Sequence, residues 1–424
     1  MKLHRTVAVA TMAVVSLSLA ACSAGGTPAQ SEGPVEIKFQ SFSDQPAAIA
    51  ATEEIVAAWN KDHADSQIKL IQAPSDSLDD KLTTQFAGEV APDIIHYEIQ
   101  GIAPFARDGY IADLSSLLSQ KTLDDIEPGV LDSVTLDGKI VGAPTELQTY
   151  VVFANKGLLE SAGVSIPTGD SMSWDTFAEI AKASTTPEVH GAAWGLKSPT
   201  AAFLSLGLGF DGTFFGTGKD VSLTVGEKEM EVPNRVRAMI DAGSLDPIGV
   251  TQSSSDVLAT FYGGKAAMTV QGSYQIANVA ADAPADMDWI VLPPLEGSAG
   301  IAQAATPQTL SINIDSAVQK QAAEFIDYFM QTDNLVKMNT ADGLIPTTTS
   351  ARAAIAEQNA GVNGWDAILA SAAGLKGPTF LGADGYVRWK DTVATPGFQK
   401  FLGKEIDGAR LATDLEAGWA QVNK

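Results

Sequence analysis

Cysteine is almost missing from this chain: Cys22 is the only one in 424 residues. No intramolecular disulfide can form, so the fold must hold by packing. Histidine is nearly as scarce. His4, His63, His96 and His190 are the four present. None is paired at metal-ligand spacing, so no metal site is expected. Positive charge is also short, with 27 Lys and Arg against 51 Asp and Glu and a formal net charge of -24. Nucleic-acid binding needs clustered basic residues and is not expected. General attraction to an anionic lipid surface fails for the same reason. The acidity reads as a soluble, self-repelling surface.

Other signatures are lacking too. Past the N-terminus the apolar run Ala201 to Phe210 is far too short to cross a bilayer. Gly207-Leu208-Gly209 and Gly216-Thr217-Gly218 do not continue into a phosphate loop or a dinucleotide fingerprint, so they read as turns. A Gly-x-Ser-x-Gly nucleophile elbow is absent. No cofactor and no enzyme activity are expected. Carboxylates are plentiful, so a glycosidase-type pair stays open at this point.

What is present is a globular chain. Hydrophobic residues make up 45% and charged residues 18%, and the length is natural for two cores. Lys2, His4 and Arg5 precede a short apolar stretch from Thr6 to Ala21, the shape of a secretory signal segment. That stretch ends in Leu19-Ala20-Ala21-Cys22, which resembles the bacterial lipobox. The resemblance implies a diacylglyceryl group on the Cys22 thiol, with residues 1–21 removed. It places the protein on the extracytoplasmic face of the bacterial membrane. Residues 22–34 then read as a lipidated terminus and a flexible tether, rich in Gly, Ser and Ala.

The body begins near Val35. Val35 to Phe39 alternates apolar and charged residues, as a strand does, and Ile68 to Ile71 reads as the next. Helical spacing runs through Ile49–Lys61 and Asp79–Glu89, and Ile94-Ile95 reads as a short buried strand. This alternation predicts an α/β layer with a mostly parallel sheet. Ligands of such sheets bind beyond the C-terminal strand ends, which here means the loops at 41–46 and 96–100. Further on, Ser173 is placed to cap a helix over 173–183. Helical patterns also cover Val232–Gly243, Ser255–Tyr262, Val318–Gln331 and much of the chain after Pro346.

Four stretches together resemble one family, the extracellular solute-binding proteins of the sugar-importer type, which includes maltose-binding protein. The first is Ala91 to Ile95 with Ala103 to Leu114 (APFARDGYIADL). The second is Asp137 to Pro144, Phe153 to Gly163 and Ser173-Trp174-Asp175. Phe261 to Met268 with Gln271-Gly272-Ser273-Tyr274 is the third. The fourth comprises Leu292 to Leu295, Leu310 to Ile314, Ala322 to Met330 and Gly343 to Pro346. Ala154 stands where the family usually has an aromatic before Asn-Lys, and Ser173 replaces its usual Thr before Trp174.

The resemblance implies two α/β lobes of the periplasmic-binding-protein-like fold, with a ligand cleft between them. Lobe one is expected over 35–143 plus 297–335, and lobe two over 144–296 plus 336–424. Hinges are expected at Gly142–Thr145 and Leu295–Gly300. The implied function is capture of a sugar or oligosaccharide and its delivery to an ABC permease, by a protein that is usually a monomer. A surface carbohydrate-active enzyme and the same fold with a non-sugar solute are the alternatives.

A sugar needs aromatic rings for its C–H faces, and amides and carboxylates for its hydroxyls. The resemblance points to particular positions for both. Asp44 follows the first strand, where relatives bind a hydroxyl; a loop charge or helix cap is the other reading. Tyr97, Glu98 and Gln100 lie just past the strand ending at Ile95. Glu146 and Gln148 follow the expected hinge. Tyr274 stands where relatives carry a stacking Trp or Tyr. Trp194, in the apolar segment Ala192 to Gly195, and Asp211, after the Gly207–Phe210 run, are further candidates, with core or loop as the other reading; Trp389 lies in a helical stretch where relatives carry a third stacking aromatic. Trp59, Trp174, Trp365 and Trp419 read as structural.

Overall fold

A computed structural model describes residues 34–43, 45–73, 77–217 and 221–422. The candidate anchor Cys22, the signal segment, most of the tether and Asp44 lie outside the described residues.

Two sheets organise the chain, built from ten strands. These are β1 (Val35–Ser41), β2 (Ser66–Gln72), β3 (Ile94–Glu98), β4 (Ala143–Leu147) and β5 (Tyr150–Asn155), then β6 (His190–Trp194), β7 (Ala266–Gly272), β8 (Trp289–Val291), β9 (Gln308–Ile312) and β10 (Ile345–Pro346). The first sheet has six strands, in the order β10-β4-β9-β3-β1-β2. β1 pairs in parallel with β2 and β3, whereas β9 runs antiparallel to both β3 and β4. The second sheet has four strands, ordered β8-β5-β7-β6. The alternation of Val35 to Phe39 is real on the sheet: Ile37 and Phe39 are buried and Glu36 and Lys38 exposed. The 17-residue helix Pro46–Asp62 opens on Pro46, whose fixed φ suits a first turn, and turns Ile55, Val56 and Trp59 inward.

Helix boundaries follow local chemistry. The Ser173 side chain accepts from the Thr176 amide and caps helix Trp174–Ala183, as its position predicts. At helix Ser254–Tyr262, Ser253 and Asp256 satisfy each other's backbone amides in a capping box. Trp59, Trp174, Trp365 and Trp419 are all buried among apolar neighbours.

The expected lobe boundaries need moving. β4 was expected to open the second lobe from residue 144, yet it is an interior strand of the first sheet. The chain leaves that sheet at Gln148-Thr149, between β4 and β5, rather than at Gly142–Thr145. Residues after 336 were also expected in the second lobe. Helix Thr332–Asp342 instead packs on helix Pro46–Asp62 of the first: Lys337 pairs with Glu54 at 2.7 Å, and the Thr52 hydroxyl meets the Met338 sulfur at 3.5 Å. Helix Thr349–Gln358 buries Ala351 and Ile355 in the same core. The segment from Thr379 to Val422 returns to the second lobe. There Phe398 packs against Phe203, and Trp389 against Phe215.

Candidate functional site

The first cavity lies where the C-terminal ends of β1, β3 and β4 face the end of β7. It holds about 360 Å³. From the first lobe Phe42, Glu98, Gln308 and Asp342 line it; Gln148 comes from the crossing segment, and Tyr274 and Asn278 from the second lobe. Parallel strands direct their C-terminal loops to one side, which is why residues distant in sequence converge here.

Gln148 and Tyr274 owe their closeness to Gly272. A Cβ at Gly272 would fall 2.3 Å from Gln148 Oε1 and 2.4 Å from Tyr274 Cε1. Only a residue without a side chain lets both groups in. The adjoining backbone is tied across the lobes, because the Ser273 amide donates to the Thr149 carbonyl at 2.7 Å. Burial holds the Tyr274 phenol above its ordinary pKa. Gln148 Oε1 is shielded from solvent and has no hydrogen-bond partner.

Glu98 ends β3, and its carboxyl reaches the cleft solvent, yet protein surrounds it closely. That enclosure raises its pKa, Lys390 pulls it back down, and Asp79 pushes it up again. Tyr97, beside it, is half-buried, with its ring edge-on to Phe42 at 5.4 Å. Burial first and Asp79 second raise its pKa. Gly101 makes room for that ring, since a Cβ there would lie 2.0 Å from Tyr97 Cε1.

A second cavity of about 430 Å³ lies at the other end of the cleft. Gln100, Asp79 and Arg107 line its first-lobe wall, and Phe380, Tyr386 and Arg388 its second-lobe wall. Tyr386 stacks on Phe380 at 4.4 Å, and its hydroxyl has no partner although the residue is only 4% exposed. Burial raises its pKa, with Tyr150 adding to the effect. Burial raises the Tyr150 pKa as well, with Tyr274 and Glu98 adding to the effect.

Of the expected residues, Glu98, Gln148 and Tyr274 meet at the first cavity and Gln100 lines the second. Tyr97 lines neither cavity, although its neighbours Glu98 and Gly101 line one each. Four others sit elsewhere. Glu146 is wholly buried in β4, its Oε1 lying 3.8 Å from His96 Nε2. Trp194 packs edge-on against Phe203 in the core of the second lobe. Asp211 is an exposed residue in the left-handed conformation, paired with Lys228 at 3.3 Å. Trp389 is 0% exposed and donates to the Leu415 carbonyl at 3.0 Å, so it is a core residue. Tyr386, one helical turn earlier, is the aromatic that lines the cleft. No local sequence signal separates Tyr386 from Trp389, since both lie on the short helix that starts after Gly385.

Glu146 and His96 form a buried pair behind the first cavity. Burial keeps His96 neutral, with its pKa lowered to about 4 against a weaker opposing bond from Gln308. Its Nδ1 lies 3.1 Å from the Ser41 hydroxyl. Burial, reinforced by Asp342, raises the Glu146 pKa well above the usual carboxyl range. Both carboxyl oxygens lack a hydrogen-bond partner, so the neutral acid is the form that burial favours. Among the described residues no group of three or more side chains could hold a metal ion. No helix among them is long and apolar enough to cross a membrane.

Comparison with known proteins agrees with this geometry. A sequence model of the bacterial extracellular solute-binding proteins matches residues 43–336. A Streptomyces antibioticus protein described as an uncharacterized lipoprotein in the oleD 5' region is 36% identical over 414 residues, covering 96% of this chain and 90% of its own length. The arabinooligosaccharide-binding protein of Bacillus subtilis is 30% identical over 202 residues, 46% of this chain and 45% of that one. Among solved structures, the cyclic alpha-maltosyl-1,6-maltose binding protein from Arthrobacter globiformis superposes with a TM-score of 0.79 at 19% identity, over 92% of this chain and 99% of that one. With a cavity between two lobes at the strand ends, and with that match over most of its length, this chain belongs to the bacterial extracellular solute-binding proteins, the binding components of ABC importers.

Proposed function

We propose that this protein captures a sugar or oligosaccharide in the inter-lobe cleft and delivers it, chemically unchanged, to an ABC permease. The observation that carries the reading is that Gln148 and Tyr274 face Glu98 and Gln308 across one cavity. An aromatic face, amides and a carboxylate converging from two lobes match the needs of a polyhydroxylated ring. Similarity to an arabinooligosaccharide-binding protein and a maltodextrin-binding protein, both of Bacillus subtilis, supports the same class.

The mechanism is a population shift. Ligand touching both lobes binds the closed arrangement better than the open one, and so favours closure by that difference. Glu98, Gln148 and Tyr274 are the contacts expected in the first cavity, and Tyr97 and Gln100 those expected toward the second. The closed pair of lobes is then the shape that the permease recognises. The Leu19-Ala20-Ala21-Cys22 motif supports anchoring through lipid on Cys22. Replacing Cys22 by Ala should release the protein from the membrane fraction; retention there would refute the anchor.

The test of function is a thermal-melt screen of the purified protein against mono- and oligosaccharides, with polyamines and peptides as controls. At about a hundred times its dissociation constant a ligand stabilises the fold by about 2.7 kcal/mol. A shift of several degrees with one saccharide group supports the reading. A shift with a control alone replaces the sugar, and no shift with any compound removes the reading.

A further inference from the structure

We propose that the first cavity takes a protonated amine, so that the preferred ligand is an amino-substituted sugar with Glu98 as its counter-ion. This rests on the cleft being a sugar site and specifies which sugars it takes.

Charge in the cleft is distributed unevenly. Among the described residues lining the first cavity, the charged side chains are Glu98 and Asp342, and none is Lys, Arg or His. The second cavity is mixed, with Arg107 and Arg388 facing Asp79, Asp108 and Asp384. Negative charge therefore gathers at one end. Lys390 acts on Glu98 from outside the lining and itself lies 3.5 Å from Asp391. Burial is the main cause of the raised Glu98 pKa, with Lys390 opposing it and Asp79 adding to it, so the carboxylate gains from a further cationic partner in the cleft. A neutral hydroxyl can donate a hydrogen bond to Glu98 but leaves its charge uncompensated in an enclosed space. An ammonium group supplies both donor and charge.

The other groups in the cleft suit such a ligand. Gln148 Oε1, shielded and without a partner, is an acceptor waiting for a donor. Phe42 from the first lobe and Tyr274 from the second add rings to the lining, and ring faces attract a cation. The buried Tyr386 hydroxyl also lacks a partner on the wall of the second cavity. That orphan is independent of the acidic groups, and it marks where the rest of the ligand makes a hydrogen bond. Amine at Glu98 and ring hydroxyls toward Tyr386 is the orientation that satisfies both ends.

Calorimetric titration of the purified full chain tests this with glucosamine, N-acetylglucosamine and glucose, each as the monosaccharide and as α- and β-linked disaccharides. The amine form should bind about tenfold or more tighter than the matched acetylated and neutral forms, the gain of a charge-assisted bond over a neutral one. In Glu98→Gln the ratio of amine to neutral affinity should fall toward one. Equal binding of amine and neutral sugars by the wild type overturns the counter-ion role and leaves the sugar reading standing; this arm needs no variant. A ratio that persists in Glu98→Gln overturns the assignment to Glu98. If no sugar binds at all, the sugar reading fails and takes this proposal with it.

Discussion

Arg107 and Leu381 join the two lobes directly: Arg107 Nη1 donates to the Leu381 carbonyl at 2.9 Å across the mouth of the cleft. Arg107 ends helix Ile99–Arg107 of the first lobe, and its Nη2 lies 3.9 Å from Asp384 on the other side. Its Nε is shielded and unpartnered, so burial lowers the Arg107 pKa against the pull of Asp384. Asp384 is 88% exposed, and that ion pair is worth little by itself. The hydrogen bond to the backbone is the firmer part of the contact.

Arg107→Ala should therefore favour separation of the lobes. The unliganded variant should show a larger radius of gyration in solution scattering. Ligand affinity should fall about fivefold, for a lost bond of about 1 kcal/mol. An unchanged radius and an unchanged affinity would mean that Arg107 does not hold the lobes together.

The Tyr274 ring is predicted to be the main apolar contact of the first cavity. Tyr274→Ala should weaken ligand binding about thirtyfold, the effect of losing a contact of about 2 kcal/mol. Tyr274→Phe should keep most of the affinity if the ring face matters more than the hydroxyl. Calorimetry on both variants separates these roles. Equal losses in the two would assign the effect to the hydroxyl.

Trp389 has the opposite signature. It is fully buried against Phe215 and Trp419, with its indole N–H satisfied by Leu415. Trp389→Ala should destabilise the fold by about 3–5 kcal/mol. Denaturant melts without ligand check this. A variant that keeps wild-type stability but loses ligand affinity would return Trp389 to the binding site.

His96 and Glu146 give two separate pH limits. The folded pKa of Glu146 is raised, so its contribution to stability is full below its unfolded pKa and is lost as pH rises through the folded value. The folded pKa of His96 is lowered to about 4, so its contribution is full above its unfolded value near 6.5 and is lost as pH falls toward about 4. Glu146→Gln should flatten the alkaline side of the stability profile and leave the acid side in place. His96→Gln should do the reverse. Chemical denaturation across pH measures both, and identical profiles in wild type and Glu146→Gln would contradict the neutral-acid assignment.

The sequence revealed the cleft better than its details. Glu98, Gln148 and Tyr274 line the first cavity at positions to which the family resemblance pointed, each at or just past a strand end, and strand ends gather on one side of a sheet. The inward position of Glu146 was not legible. β4 is interior to its sheet and all five of its residues are buried, so no alternation separates core-facing from cleft-facing side chains. Trp389 and Tyr386 lie one turn apart on the same short helix and both meet Phe215 edge-on; contacts with Trp419 and the Leu415 carbonyl, both distant in sequence, are what turn Trp389 fully inward. Nothing within helix Thr332–Asp342 states which sheet it covers. Its contacts with helix Pro46–Asp62 arise only in the folded chain.

The most direct test of reversible sugar capture is a calorimetric titration of the purified wild-type protein with the saccharide that gives the largest melting shift, followed by chromatography of the recovered sugar. The account predicts saturable binding at one site per chain and a sugar recovered intact. Absence of binding by every saccharide, or a cleaved product after incubation, would contradict it.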